Sequence, residues 1–256
     1  MKIKPFLILL TIGNMFSMDA QEKKQPTNPF FQTYDTPFNV PAFDKIKNEH
    51  FKPAILEGIK RHQDEINLIA GNHEVPTFEN TILAMENAGE LLSEVSRVFG
   101  NYNSANTSEQ IQAIAKETAP ELSAHSDNIA LNGKLFARVE ELWNKKGSLN
   151  LNLEQAKILE NRYKSFVRSG ANLSQTDKDK LRKINAELSL TSLKYGQNIL
   201  AETNKYELVI SDKKELDGLP SQLIEAAAED AKANGKAGKW VFTLSNSSVM
   251  PFLQYS

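Results

Sequence analysis

Residues 77–101 read TFENTILAMENAGELLSEVSRVFGN, and this stretch decides the fold class. Its apolar residues recur at steps of three and four, with Gly89 at the same spacing: Phe78, Ile82, Met85, Leu92, Val95 and Phe99. That period places them on one face of a helix. Thr77 is suited to the N-terminal cap, and Gly100-Asn101 is a typical helix end. The stretch therefore predicts one long amphipathic helix.

The same helical period continues outward along most of the chain. The other predicted helices cover about residues 50–70, 108–131, 135–143, 156–167, 175–203 and 223–233. Pro120 lies inside one of them and predicts a break or kink, because proline lacks the N–H that the helix needs. The helix that begins near Ser174 carries the apolar stripe Leu181, Ile184, Leu188, Tyr195 and Ile199.

Two short segments have the pattern of strands instead of helices. Residues 206–210 alternate in polarity, and residues 240–244 form an apolar run with aromatic and β-branched members. A predicted helix separates them. The sequence therefore predicts a mostly α fold with a short two-stranded β element near 206–244.

The N-terminal end has the composition of a signal peptide. Lys2 and Lys4 precede an apolar run over residues 6–16, and Ala20 suits a cleavage site before Gln21. The run is too short to span a membrane with such flanks, although an uncleaved anchor is the alternative interpretation. We therefore expect an exported protein, periplasmic or secreted, with no stable membrane association after cleavage of residues 1–20.

Four segments are predicted along the chain. After the signal peptide, residues 21–49 are rich in proline and aromatic residues and predict an extended strap, because proline prevents a continuous helix. A helical domain over 50–204 and a strand-helix-strand segment over 205–256 follow. The last apolar run, 249–253, has no helix-ending signal after it, and we expect the segment 205–256 to lead into a region that this sequence lacks.

Composition excludes several classes of function. The 256 residues contain no cysteine, which excludes disulfides, a thiol nucleophile and thiolate metal sites in this stretch. The net charge of -2 gives no reason to expect nucleic acid as a partner. The densest basic run, residues 178–183, is interleaved with aspartates and is interpreted as a solvated helix face.

The four histidines are the first candidates for catalytic or metal-binding residues. The segment His73-Glu74-Val75-Pro76-Thr77 approaches a zinc-peptidase helix motif, but threonine stands where the second histidine belongs and Pro76 prevents a continuous helix. His125 is followed by Ser126 and Asp127, but neighbours in sequence do not make a catalytic triad. His50, His62 and His125 are interpreted as surface or capping residues.

Paired carboxylates are the remaining candidates for catalytic residues. Glu140-Glu141 and Glu229-Asp230 lie on helical segments near lysines and are interpreted as solvated faces. The glycines are scattered and form no phosphate-binding loop. No catalytic, cofactor-binding or metal-binding residue is therefore assigned in this chain.

Seven short motifs in order nevertheless resemble one family. They are Pro53-Ala54 with Gly58 and His62; Pro76-Thr77-Phe78-Glu79-Asn80-Thr81-Ile82; Pro120-Glu121-Leu122-Ser123 with His125 and Asp127; Phe166-Val167-Arg168-Ser169-Gly170-Ala171; Ile184-Asn185 with Glu187-Leu188-Ser189; Leu216-Asp217-Gly218-Leu219-Pro220; and Gly238-Lys239-Trp240-Val241-Phe242-Thr243-Leu244. In this order they resemble the N-terminal part of the peptidyl-dipeptidase, oligopeptidase A and thimet oligopeptidase family of zinc metallopeptidases.

The resemblance implies the N-terminal lobe of a two-lobed zincin-type oligopeptidase. Such enzymes cleave short peptides in a channel between the lobes, and their zinc motif lies downstream of the matched region. Zinc is therefore expected in the full-length parent and none in this chain, which alone is expected to be inactive. The expected partners are short peptides, and the expected state is a monomer. The alternative is a non-catalytic helical module that binds peptides.

The resemblance also has a consequence for stability. Helices that pack on a second lobe would expose apolar surface in its absence. The expected exposed segments are residues 240–244 and 249–253, and exposure of this kind favours aggregation.

Overall fold

A computed structural model describes residues 28–256, which form a mostly helical fold. The α-helices are α1 (Asn48–Ala70), α2 (Ala84–Asn87), α3 (Glu90–Ala105), α4 (Glu109–Ala130), α5 (Gly133–Asn144), α6 (Leu153–Arg168), α7 (Gln175–Lys205), α8 (Ser221–Ala233) and α9 (Asn246–Tyr255). Strands β1 (Leu208–Ile210) and β2 (Trp240–Phe242) pair antiparallel, with Val209 opposite Val241. The predicted fold class is confirmed. The predicted signal peptide, residues 1–20, lies outside the described residues.

The long helix predicted over residues 77–101 is interrupted in its middle and continues past Gly100 to Ala105, so that prediction is wrong in two respects. Phe78–Leu83 form a π-helical turn that continues into α2, and α3 begins only after Gly89. Gly89 adopts a left-handed conformation with φ of 79°. An α-helix cannot continue through that conformation. The apolar spacing is kept across the break, and for this reason the sequence pattern did not reveal it.

Helix α4 begins at the predicted N-terminal cap, but it does not break at Pro120 as the sequence predicts. The Ser108 hydroxyl accepts a hydrogen bond from the N–H of Ile111 at 3.2 Å, which caps the helix. Pro120 lies inside α4 and does not break it. Helix α4 packs against α1 and α7. This packing on both sides of the proline stabilises the helix more than one missing hydrogen bond destabilises it.

Helix α1 lies between two hydrophobic clusters. Its Ile66 and Ile69 join a first cluster with the π-helical turn, α5 and α6. Its Phe51 and Ile55 join a second cluster with α3, α4 and Phe30 of the strap. Because one helix contributes to both clusters, its orientation fixes how the other helices meet.

The strap over residues 28–47 lies along this helical body. The Phe30 ring packs 5.5 Å from that of Phe51, and the Phe43 ring stacks 6.5 Å from that of Tyr102. Phe38 differs from them, because its side chain is 98% exposed and its φ is 60°. The strap is thus held by aromatic contacts on each side of an exposed tip.

A third cluster gathers the segment after α7. Ile210, Leu216, Leu223 and Phe242 are buried together between the two strands and α8. Val241 and Phe242 are 0% and 2% exposed, so the expectation that residues 240–244 present apolar surface is wrong for these two, although Leu244 is exposed. Helix α8 covers Val241 and Phe242. Met250 and Leu253 of α9 are exposed, as expected for 249–253. The division into domains 50–204 and 205–256 stays a prediction.

Helix α7 is unusual because it buries only one residue, and that residue is a lysine. Lys178 donates a hydrogen bond from Nζ to the carbonyl of Leu131 at 3.1 Å, at the C-terminal end of α4. A cation is favourable at that end of a helix. The interpretation of residues 178–183 as a solvated face is therefore wrong for Lys178. The apolar stripe of α7 is largely exposed at Ile184, Leu188, Tyr195 and Ile199.

Across residues 28–256, no helix has both the length and the apolar character needed to cross a membrane.

Candidate functional site: a histidine pair and a cleft on α4

Two histidines that are distant in sequence meet between α1 and α4. The His125 Nε2 and His62 Nδ1 atoms lie 3.0 Å apart in a hydrogen bond, and the ring centroids are 4.9 Å apart. His125 is only 5% exposed and His62 is half-buried. The interpretation of these two residues as surface or capping histidines is therefore wrong. They form a cross-link between two core helices.

Gly89 provides the space that the pair occupies. A Cβ atom at this position would lie 2.7 Å from His62 Nδ1, closer than real contacts allow. The Gly89 N–H also donates a hydrogen bond to the Glu65 carboxylate at 2.7 Å. The break between α2 and α3 is thus fixed against α1 by two interactions. Gly89 packs closely on the His62 ring, and its N–H binds the Glu65 carboxylate.

Burial keeps the histidine pair neutral. Desolvation lowers the pKa of His62, with Arg162 acting in the same direction and Glu65 opposing it. Desolvation likewise lowers the pKa of His125, and its neighbour His62 adds to the effect. The Nδ1 atom of His125 is buried without a hydrogen-bond partner. The two rings can share one proton along their hydrogen bond. Neither nitrogen of His125 is accessible to a ligand, because Nε2 is bonded to His62 and Nδ1 is buried.

The other two histidines have separate positions. His50 Nδ1 accepts a hydrogen bond from the N–H of Lys47 at 3.0 Å, so its interpretation as a capping residue is correct. His73 is exposed in the loop between α1 and the π-helical turn. The zinc-like segment that begins there is a loop, and Thr77 caps the following turn through the N–H of Asn80 at 3.0 Å. Pro76 had indicated this outcome.

Arg138 holds that loop from beneath. This side chain of α5 is buried, and it donates to the carbonyls of Asn72 and Glu74 at 2.7 and 3.0 Å. It also donates to Oδ1 of Asn80 at 2.9 Å. Three acceptors from the loop and the turn that follows it therefore converge on a single guanidinium group. Nothing in the sequence indicated this role, because an arginine in an amphipathic helix is usually exposed.

The serine and aspartate next to His125 do not join it in a triad. His125 contacts α1, whereas Oδ1 of Asp127 accepts a hydrogen bond from the Asn185 amide of α7 at 2.7 Å. Ser126 lies at the surface between the two. Successive residues of α4 thus face different neighbours, as helical geometry requires.

The residues described here do not fit a zinc site. Zinc in proteins is held by at least three protein ligands. Over residues 28–256, no group of three or more His, Cys, Asp or Glu side chains could hold a metal ion. The one close histidine pair is bonded to itself and has no carboxylate bonded to either ring. No catalytic step is therefore derived through a metal in this part of the chain.

A cleft of about 480 Å³ opens between α4 and α7. Its polar wall includes Asp127, Asn185 and the hydroxyls of Ser123, Ser126 and Ser189. Its apolar wall consists of Ala119, Leu122 and Leu188. The arrangement combines one buried carboxylate with hydroxyl groups and aliphatic surface, which is suited to binding rather than to bond cleavage.

Comparison with known proteins identifies relatives along nearly the whole chain. It is 38% identical over 226 residues to the dipeptidyl carboxypeptidase of Escherichia coli. The aligned region covers 88% of this chain and 33% of that protein. It is 26% identical over 229 residues to oligopeptidase A of the same organism, covering 90% of this chain and 33% of that protein. Over nearly its whole length the chain is therefore similar to peptidases of this family.

A plant relative extends the match. The probable cytosolic oligopeptidase A of Arabidopsis thaliana is 24% identical over 243 residues, covering 93% of this chain and 34% of that protein. No family model matches the chain. The resemblance read from the seven motifs is confirmed. The chain spans about one third of the length of these curated relatives.

Proposed function

We propose that this chain is the N-terminal helical portion of an exported zinc peptidase that hydrolyses short peptides. The observation that carries the proposal is the 38% identity to the dipeptidyl carboxypeptidase over 226 residues. In this proposal the zinc ion and the catalytic residues belong to a region outside this sequence. Residues 28–256 supply a wall that admits short peptides and supports the site.

The exposed face of α7 supports a role as a supporting wall. Helix α7 is 31 residues long, and among the longer elements it packs chiefly on α4. Its apolar stripe at Ile184, Leu188, Tyr195 and Ile199 lies in solvent in the isolated chain. An apolar stripe of this length is a contact surface in most proteins. In the proposed peptidase, the catalytic region would cover the part of the stripe around Tyr195 and Ile199, whereas Leu188 would line the cleft between α4 and α7.

Export rests on the sequence of residues 1–20 and is part of the same proposal. Fusion of residues 1–40 to a reporter that is active only outside the cytoplasm would test it. We expect cleavage before Gln21, detected by mass spectrometry of the exported product. A full-length product that pellets with membranes would contradict the signal-peptide interpretation.

A chimera tests the proposed function directly. In the Escherichia coli dipeptidyl carboxypeptidase, the N-terminal third would be replaced by residues 28–256 of this chain. We expect the chimera to release dipeptides from a blocked tetrapeptide and to lose this activity when zinc is removed. The control is the same enzyme without any N-terminal third, which we expect to be inactive. A folded, zinc-loaded chimera no better than this control would overturn the proposal.

Assays of the chain alone test the assignment of catalysis to another region, and the alternative of a free-standing peptide-binding module predicts the same inactivity. We expect no peptide hydrolysis and no stoichiometric zinc from residues 1–256. Turnover of the blocked tetrapeptide by the purified chain would contradict the assignment of catalysis to another region.

A further inference from the structure

Asp127 is a buried carboxylate without a cationic partner. It is 6% exposed, and its one side-chain hydrogen bond comes from the neutral amide of Asn185 at 2.7 Å. None of the ion pairs within residues 28–256 includes it. Buried charges in proteins are ordinarily paired with an opposite charge or a metal. The second oxygen of Asp127 is not among the buried atoms without a partner, and the residue lines the cleft, so this oxygen is available to a cation that enters there.

The basic residues of α7 that face α4 are engaged elsewhere. Lys178 donates to the carbonyl of Leu131 at 3.1 Å. Arg182 donates to Oδ1 of Asn128 at 2.9 Å. Neither forms an ion pair with Asp127, although both lie on the helix that supplies Asn185. The carboxylate is thus left for a partner that enters through the cleft.

The walls of the cleft restrict what that partner can be. Ser123, Ser126 and Ser189 line the same cleft as the carboxylate, and serine hydroxyls can accept hydrogen bonds from a polar cation. Ala119, Leu122 and Leu188 form an aliphatic wall next to them. A bare metal ion fits poorly, because the cleft offers a single carboxylate and hard cations prefer several. A cation on an aliphatic stem satisfies both walls.

We propose that the cleft between α4 and α7 binds a primary ammonium or guanidinium group carried on an aliphatic stem. The sources of this chemistry in a short peptide are a lysine or arginine side chain and the free N-terminal residue. The inference rests on the proposed function for its choice of peptides as ligands. It adds a preference for positively charged peptides, with Asp127 as the residue that determines specificity.

Binding to the whole 256-residue chain tests the inference without any catalytic readout. Three peptides serve as probes: acetyl-Ala-Lys-Ala-amide, Ala-Nle-Ala-amide with a free terminus, and the neutral acetyl-Ala-Nle-Ala-amide. Titration calorimetry gives the affinities, and NMR shifts of the Asn185 side-chain amide locate the site. We expect at least one cationic peptide to bind about tenfold or more tightly than the neutral peptide, as for a charge-assisted hydrogen bond. Which of the two does so identifies the source of the cation.

The variant Asp127→Asn is the decisive comparison. Asparagine keeps the shape and can still accept from the Asn185 amide, so the packing of α4 on α7 is preserved. We expect this variant to bind the cationic peptides no better than the neutral one. The matched control is Asp179→Asn on α7, where an exposed carboxylate accepts only from Gln175, and we expect unchanged affinities.

Two outcomes would overturn the inference. One is equal affinity of the wild-type chain for all three peptides, and the other is unchanged selectivity in the Asp127→Asn variant. A second variant, Ser189→Ala, keeps the inference testable if Asp127→Asn misfolds. We expect Ser189→Ala to weaken the binding of cationic peptides by several-fold. Failure of the chimera experiment leaves these affinities unaffected, so the two proposals can fail separately.

Discussion

Gly89 is the residue whose backbone conformation leaves room for the His62–His125 pair. Replacement by alanine would force a side chain into the left-handed region and against the His62 ring, 2.7 Å from Nδ1. The backbone strain costs roughly 1–2 kcal/mol and the overpacking roughly 1–3 kcal/mol. We expect Gly89→Ala to lower the free energy of unfolding by about 2–4 kcal/mol, measured by urea denaturation.

Gly100 offers a matched control for that substitution. It lies inside α3, and no atom would contact a Cβ there within 4 Å. Alanine is favoured over glycine in a helix by roughly 0.5–1 kcal/mol. We therefore expect Gly100→Ala to stabilise the chain. Equal destabilisation by both substitutions would show that Gly89 has no special steric role.

The histidine pair makes stability depend on pH in a defined direction. Burial lowers the pKa of His62 and His125 in the folded chain below the ordinary value of 6.5. The unfolded chain therefore binds protons more readily. The stability contributed by the neutral pair is complete above pH 6.5 and is lost as the pH falls from there towards the lowered pKa. We expect the melting temperature to decrease between pH 7 and pH 5.

Substitution of both histidines tests this dependence. The variant His62→Gln/His125→Gln removes both titrating rings, and we expect a smaller decrease in melting temperature between pH 7 and pH 5. His73→Gln provides the control, since His73 is exposed in a loop. An acid-induced decrease that is the same in the double variant as in wild type would rule out the pair as its source.

The sequence could not have revealed the pair from local pattern. His62 and His125 are 63 positions apart, and each lies among polar neighbours that suggest a solvated face. Only the packing of α1 on α4 brings them together. Gly89 was likewise concealed, because it occupies a position in the regular apolar spacing of residues 77–101. Where a residue acts through a distant partner, hydrophobic periodicity does not identify its role.

Among the elements, the loop between α1 and the π-helical turn depends on one arginine of α5. Arg138→Met would leave the carbonyls of Asn72 and Glu74 without this donor, while Oδ1 of Asn80 would still accept from the Thr77 N–H and the Thr81 hydroxyl. Unsatisfied buried acceptors cost about 1–3 kcal/mol each in part-buried settings. We expect a loss of roughly 2–4 kcal/mol in the free energy of unfolding, together with faster amide exchange over residues 72–80.

Arg168→Met is the control for this substitution. Arg168 is exposed at the end of α6 and forms no ion pair within the described residues. Exposed substitutions of this kind usually change stability by less than about 0.5 kcal/mol. If the two variants unfold alike, Arg138 does not organise the loop.

Most helix boundaries could be predicted because capping and periodicity are local. Ser174 caps α7 as expected, by accepting from the N–H of Asp177 at 3.2 Å. Pro120 was misjudged, because packing on α1 and α7 outweighs the local preference of proline. The stripe of α7 was correctly recognised as apolar. The pattern could not show that it faces solvent, since burial depends on which elements are adjacent.

The α7 stripe has a consequence for association that mutation can test. We expect the variant Ile184→Gln/Leu188→Gln/Ile199→Gln to retain the stability of the chain, because each of these residues is already about half exposed. Self-association should decrease, as measured by sedimentation velocity, since apolar surface is removed. Leu193, which packs against the second hydrophobic cluster, is the control, and Leu193→Ala should lower stability. A large loss of stability in the triple variant would contradict the exposure of the stripe.

At the scale of the whole molecule, the three clusters determine how the chain unfolds. The first two share α1, whereas the third is made only of residues after α7. Units with separate cores can open separately, and hydrogen exchange reports their individual stabilities. The segment after α7 should therefore respond to damage in its own core without transmitting it to the helices before α7.

Phe242→Ala tests this independence. Phe242 is buried in the third cluster and its ring lies 4.7 Å from that of Phe252, so its truncation should cost about 3–5 kcal/mol there. We expect faster amide exchange in β1, β2 and α8, with α1 and α4 unchanged. Phe51→Ala in the second cluster should have the opposite pattern. Equal acceleration in α1 and in β2 for either variant would mean that the chain unfolds as one unit. The boundary near residue 205 would then have no energetic meaning.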